Sequence, residues 1–231
     1  MRENEAQEAL DPFLLSMWAA EAFEVISPEE AKKAWAHQAA IARTRGTKKD
    51  LNAVRQPRIV GGTNATTGRY PYFAYIELSN DENVFFCSGT LIWPDLILTA
   101  AHCIVDLINE GIVISKVDAY VGLDDQTEFL DAEYREVDAA MPHPAFNSVT
   151  IENDLMIMVL KSPISTITTV RLNLNESVPA DGQAVETFGF GAVSEDITIE
   201  LPVLLQKVAL SIIPFSDCND ANSYNGDVID S

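Results

Sequence analysis

An all-β, antiparallel domain over residues 59–231, preceded by a short helical segment and a basic linker over residues 1–58, is the architecture this sequence predicts. Helix-start signatures cluster before Arg58, while short β-branched and aromatic runs separated by turn residues follow it. The charge distribution changes at the same place. Residues 1–58 carry nine basic and nine acidic side chains, so the whole formal charge of -20 resides in residues 59–231.

Asp11-Pro12 reads as an N-cap with proline in the first helical turn. Ser27-Pro28-Glu29-Glu30 reads as a capping box, in which Ser27 bonds forward and Glu30 reaches back, leading into an Ala-rich helix that runs to about Arg45. Gly46 supplies a stop, and Lys48, Lys49, Arg55 and Pro57 mark an exposed linker. Strands are expected within Tyr72–Leu78, Gly89–Ile92, Ile112–Val121, Leu155–Leu160 and Leu204–Ile213.

Composition excludes several classes. The longest apolar stretch, Pro12–Ile26, holds Glu21 and Glu24, so no membrane span is expected. Strong net negative charge opposes binding to polyanions, so no nucleic-acid partner is expected. Met1–Leu10 contains three Glu and one Arg, which is not the positively charged start of a secretory signal. Three cysteines leave one without a partner in an oxidising compartment.

Three segments carry candidate chemistry. Ile59-Val60-Gly61-Gly62 follows Arg58 on the basic linker. A bond after an exposed Arg is cleavable, and the new α-amino group on a slim segment can thread into a cleft. Leu98-Thr99-Ala100-Ala101-His102-Cys103 follows Cys87-Ser88-Gly89-Thr90-Leu91-Ile92. A bridge between Cys87 and Cys103 would add about 3 kcal/mol by loop-closure entropy and would hold His102 beside a fixed strand. Asn153-Asp154 heads the apolar run Leu155–Leu160. An unpaired buried carboxylate costs several kcal/mol, so Asp154 either faces water, caps a turn, or meets a donor such as the His102 imidazole.

Together with His143-Pro144-Ala145-Phe146-Asn147 and the turn Gly189-Phe190-Gly191, these segments resemble the trypsin/chymotrypsin family of serine endopeptidases, in the family's order. The resemblance covers residues 58 to about 231. It implies a chymotrypsin-like double antiparallel β-barrel, an activation cleavage between Arg58 and Ile59 by an activating protease, and a disulfide between Cys87 and Cys103. His102 is then the matching general base and Asp154 the carboxylate that orients it. Protein or peptide substrates, secretion and no cofactor are likewise expected from the resemblance alone.

One part of the family's pattern is missing. Beyond Gly191 the serines are Ser194, Ser211, Ser216, Ser223 and Ser231, and none lies in a Gly-Asp-Ser-Gly-Gly setting. Ser216-Asp217-Cys218 resembles the segment just before a late family disulfide, so Cys218 is expected to stay unpaired. The expectation is therefore an N-terminal part of a protease, with the second barrel incomplete and no peptidase activity of its own. The competing expectation is a catalytically inactive homologue that binds a partner.

Weaker signals remain. Asp124, Asp125, Glu128, Asp131 and Glu133 form an acidic loop where some relatives hold calcium, although such carboxylates are usually a solvated face, and that is the expectation here. Asn64-Ala65-Thr66 and Asn175-Glu176-Ser177 are N-glycosylation sequons that matter only on export. His143 and His37 have no second His or Cys at ligand spacing, and neither is a metal-site candidate.

Overall fold

The computed structural model describes residues 59–81, 83–175, 177–193 and 201–220. The helical segment, the linker and Arg58 lie outside the described residues. In chain order the elements are β1 (Thr63–Asn64), β2 (Phe73–Ser79), β3 (Val84–Trp93), β4 (Leu96–Thr99), α1 (His102–Asn109), β5 (Lys116–Val121), β6 (Glu133–Pro142), β7 (Met156–Leu160), β8 (Ala184–Gly189), β9 (Gln206–Ser211) and α2 (Phe215–Cys218).

The expected all-β fold is found, and each of the five predicted runs overlaps a strand, whereas β1, β4, β6 and β8 lie outside them. Closure of β2-β3-β4-β7-β6-β5 makes a six-stranded antiparallel barrel, and β1-β9-β8 makes a separate three-stranded sheet. Residues 112–115, expected as strand, lie ahead of β5 in irregular backbone. Gly111 at φ +83° ends the preceding helix, and Ile112 N–H reaches back to the Leu107 carbonyl, which keeps this stretch out of the ladder.

Period-two alternation explains the barrel. Ala74, Ile76 and Leu78 from β2, Ala119 and Val121 from β5, and Met156, Met158 and Leu160 from β7 bury their side chains in one core with Leu91, Ile97 and Ile104. Register shifts between Leu91 and Trp93 and between Val137 and Ala139 break the ladders of β3 and β6. Such bulges bend strands and raise their twist, as barrel closure requires.

Strand β2 is buried on both faces because its other side meets a second cluster. Phe73 and Tyr75 pack there with Tyr70, Leu123, Phe190 and Leu205. Tyr70 stacks on Phe188 with centroids 4.2 Å apart, and Phe73 meets Phe190 edge-on at 5.5 Å. This aromatic seam joins the barrel to the three-stranded sheet. It gives Phe190, in the Gly-Phe-Gly turn, a packing role. In and beside β9, Val203, Leu204, Leu210 and Ile213 remain exposed.

Candidate active site

Strand register brings the two candidate residues together. Strands β4 and β7 are antiparallel neighbours with Thr99 opposite Met156. His102 lies three residues beyond the end of β4, and Asp154 lies two residues before the start of β7, so both emerge at the same rim of the barrel. Thr99 is itself fixed, buried with its Oγ1 donating to the Ser88 carbonyl at 2.8 Å.

Asp154 makes two bonds to one residue. Its Oδ2 lies 2.7 Å from His102 Nδ1, and its Oδ1 accepts the His102 backbone N–H at 2.8 Å. The second bond has a structural cause. His102 opens α1, and the first amides of a helix have no intrahelical acceptor. Ala101 at the N-cap supplies no side-chain bond, so the carboxylate caps the helix from the loop ahead of β7. The His102 side chain is 49% exposed and that of Asp154 21%. The imidazole is therefore open to an approaching molecule, while the carboxylate sits behind it.

Local backbone aims the carboxylate. Ile151 and Asn153 adopt φ values of 64° and 55°, in the left-handed region. Asparagine tolerates that region, but β-branched isoleucine does not do so readily, and the loop holds both. Asn153 Nδ2 donates to the Ala145 carbonyl at 3.1 Å, and the His143 N–H donates to the Leu155 carbonyl at 2.7 Å. These bonds fix the chain on both sides of Asp154. Sequence reasoning missed Asn153 and Ile151 as positioning residues; only the Asn-Asp pair offered any turn signal.

The same first turn of α1 is also held covalently. Cys87 in β3 and Cys103 in α1 form a disulfide with Cα atoms 6.2 Å apart. Cys103 and Ile104 are buried beneath the helix. The expected pairing is thus present, and Cys218, at the end of α2, is a free thiol.

Ile59 is tucked in as well. Its N–H donates to the Ala192 carbonyl at 2.7 Å, and Gly61 N–H donates to that of Val193 at 3.2 Å. Gly62 N–H closes a turn on the Ile59 carbonyl at 2.8 Å, with Gly61 at φ +75°. A Cβ on Gly62 would stand 2.7 Å from both Ile59 Cγ2 and the Ile59 carbonyl oxygen. The glycine pair is needed for this fold-back, and it lays the segment on the three-stranded sheet beside β9.

In the acidic loop, three of the five carboxylates have partners of their own. Asp124 Oδ2 accepts the Gly68 N–H at 2.6 Å, Asp125 Oδ1 accepts both donors of Thr127, and Glu133 takes the Thr166 hydroxyl and Arg135. Hydrogen bonding from Thr127 lowers the Asp125 pKa, and from Thr166 that of Glu133.

A closed antiparallel barrel, a second β-sheet across an aromatic seam, and a carboxylate-braced histidine at the rim define a chymotrypsin-like protein. The family model described as Trypsin matches residues 59–231. Trypsin theta of Drosophila erecta is 30% identical over 192 residues, covering 82% of this chain and 70% of that protein. Mast cell protease 8 of Mus musculus is 26% identical over 174 residues, covering 74% of this chain and 66% of that protein. A solved structure described as "Structure of GrC" superposes with a TM-score of 0.60 at 25% identity, over 70% of this chain and 68% of the other. The chain belongs to the trypsin family, whose members are serine endopeptidases. It spans about two thirds of the length of these relatives. No helix among the described residues is long and apolar enough to cross a membrane.

Proposed function

We propose that this chain is the base-bearing part of a trypsin-like zymogen, a secreted serine-type endopeptidase acting on protein or peptide substrates once cut between Arg58 and Ile59 by an activating protease. The observation that carries this reading is the two-point grip of Asp154 on the ring and amide of His102. With Nδ1–H donated to the carboxylate, Nε2 presents its lone pair at the open side of the ring. It can take a proton from a serine hydroxyl attacking a peptide carbonyl and return it to the leaving amine. Asp154 then stabilises the imidazolium formed in between.

The serine is not among residues 1–231 in its family setting. Loss of the nucleophile alone lowers turnover by about a millionfold. Residues 1–231 alone are therefore expected to be inactive, and a Gly-Asp-Ser-Gly-Gly segment is expected in frame after Ser231. The missing serine also motivates a second reading, an inactive homologue that uses the barrel to bind a partner. A stable secreted protein whose reading frame lacks that segment would favour it.

The experiment compares residues 1–231 with a chain continued through that segment, each cleaved after Arg58 and exposed to a fluorophosphonate probe. The shorter chain stays unlabelled, whereas the longer one is labelled and loses labelling with His102→Ala. Labelling of the shorter chain that depends on His102, or full labelling of the longer chain without that imidazole, overturns the proposal.

A further inference from the structure

We propose that Asn175 is an acceptor for an N-linked glycan. It lies on the loop between β7 and β8 and is exposed, as are Leu174, Ser177 and Val178 around it. Its Oδ1 accepts the Ser177 N–H at 3.0 Å, a bond between the first and third positions of the Asn-x-Ser triplet. Its own N–H donates to Asn173 Oδ1 at 3.0 Å, and its carbonyl accepts from Asn173 Nδ2 at 3.1 Å. Asn173 Nδ2 also donates to the Val178 carbonyl, so one side chain is bonded to the chain on both sides of the acceptor.

The carboxamide oxygen is occupied in this arrangement, while no hydrogen bond holds Nδ2 among the described residues. That nitrogen is the atom that reacts. It loses a proton and forms a C–N bond to the anomeric carbon of an oligosaccharide carried on a lipid pyrophosphate. The anomeric C–O bond breaks, and the lipid pyrophosphate leaves with the electron pair. A bulky polar addition at this tip breaks no strand ladder. It stands beside Leu174 and Val178, which are 56% and 41% exposed.

The first sequon is built differently. Asn64 belongs to β1 and faces Gln206 in the ladder with β9. Its Oδ1 accepts from Nε2 of that glutamine at 2.9 Å, and the glutamine is only 4% exposed. The Asn64 carboxamide is thus part of the sheet's own bonding, and the proposal does not depend on it.

This inference needs export but not the proposed peptidase activity. Supplying a cleavable secretion leader in a eukaryotic host makes the test independent of the native export route and of catalysis. The 231-residue chain is read in whole-cell lysate as well as in medium, so that retention does not hide the product. Peptide N-glycosidase should shift the chain by at least one glycan and convert Asn175 to Asp in the peptide map. Asn175→Gln and Ser177→Ala should each remove that glycan, and Asn64→Gln should leave it in place. An unmodified Asn175 in the unaltered chain, or a glycan pattern unchanged by Asn175→Gln, overturns the proposal.

Discussion

Replacing both bridged cysteines, as Cys87→Ala with Cys103→Ala, should cost this chain about 3 kcal/mol. The two positions are 16 residues apart, and loop-closure entropy for a ring of that size gives this figure. For a chain of this size each kcal/mol lowers the melting temperature by about 2–4 °C, so a fall of about 6–12 °C is expected. The loss should also be uneven. Helix α1 has eight residues, whereas isolated helices shorter than about 12–15 residues are marginal in water. Without the bridge it is held by Ile104, Val105 and the Asp154 cap, while β2 keeps both its ladders. Calorimetry measures the first effect, and amide hydrogen exchange followed by mass spectrometry measures the second. Residues 102–109 should lose protection well before residues 73–79. A melting shift under about 2 °C, or equal loss of protection in both segments, would refute the view that the bridge anchors the histidine-bearing helix.

Leu91→Ala empties a fully buried position in the barrel core and should cost about 2–5 kcal/mol by urea unfolding. Gly89→Ala should cost about 1–3 kcal/mol, because the added Cβ would stand 2.6 Å from Ile97 Cγ2 and 2.9 Å from Ile76 Cδ1. Acid should destabilise the fold. The pKa of Glu136 is lowered by its Lys161 hydrogen bond, that of Glu186 by its Lys207 hydrogen bond, and that of Glu133 by the Thr166 hydroxyl. Each contribution is complete above the unfolded carboxylate range and is lost as pH falls through the depressed folded value. The melting temperature should therefore hold near neutrality and drop once pH passes below roughly 4.3; a flat profile down to pH 3 would contradict it.

Legibility in the sequence followed the range of the interactions concerned. The alternation Met156, Met158, Leu160 and the His102, Asp154 and Cys87–Cys103 motifs are local patterns, and each marked its element. Strand β6 was not legible because Glu133, Arg135, Glu136 and Asp138 interrupt any apolar period, and its place is fixed by pairing with β5 and β7. Helix α1 carries no start signal because its cap lies 52 residues away. Strand β4 is a four-residue apolar run that periodicity alone does not distinguish from buried helix. The aromatic seam was hidden for a related reason, since Phe73 and Tyr75 alternate with an equally apolar opposite face.

His102 and Asp154 are both anchored to a single closed barrel, through β4, α1 and the turn before β7. Sliding or rotation of the neighbouring sheet therefore leaves their separation unchanged. Whatever surface lies opposite can be reshaped without moving the imidazole against its carboxylate.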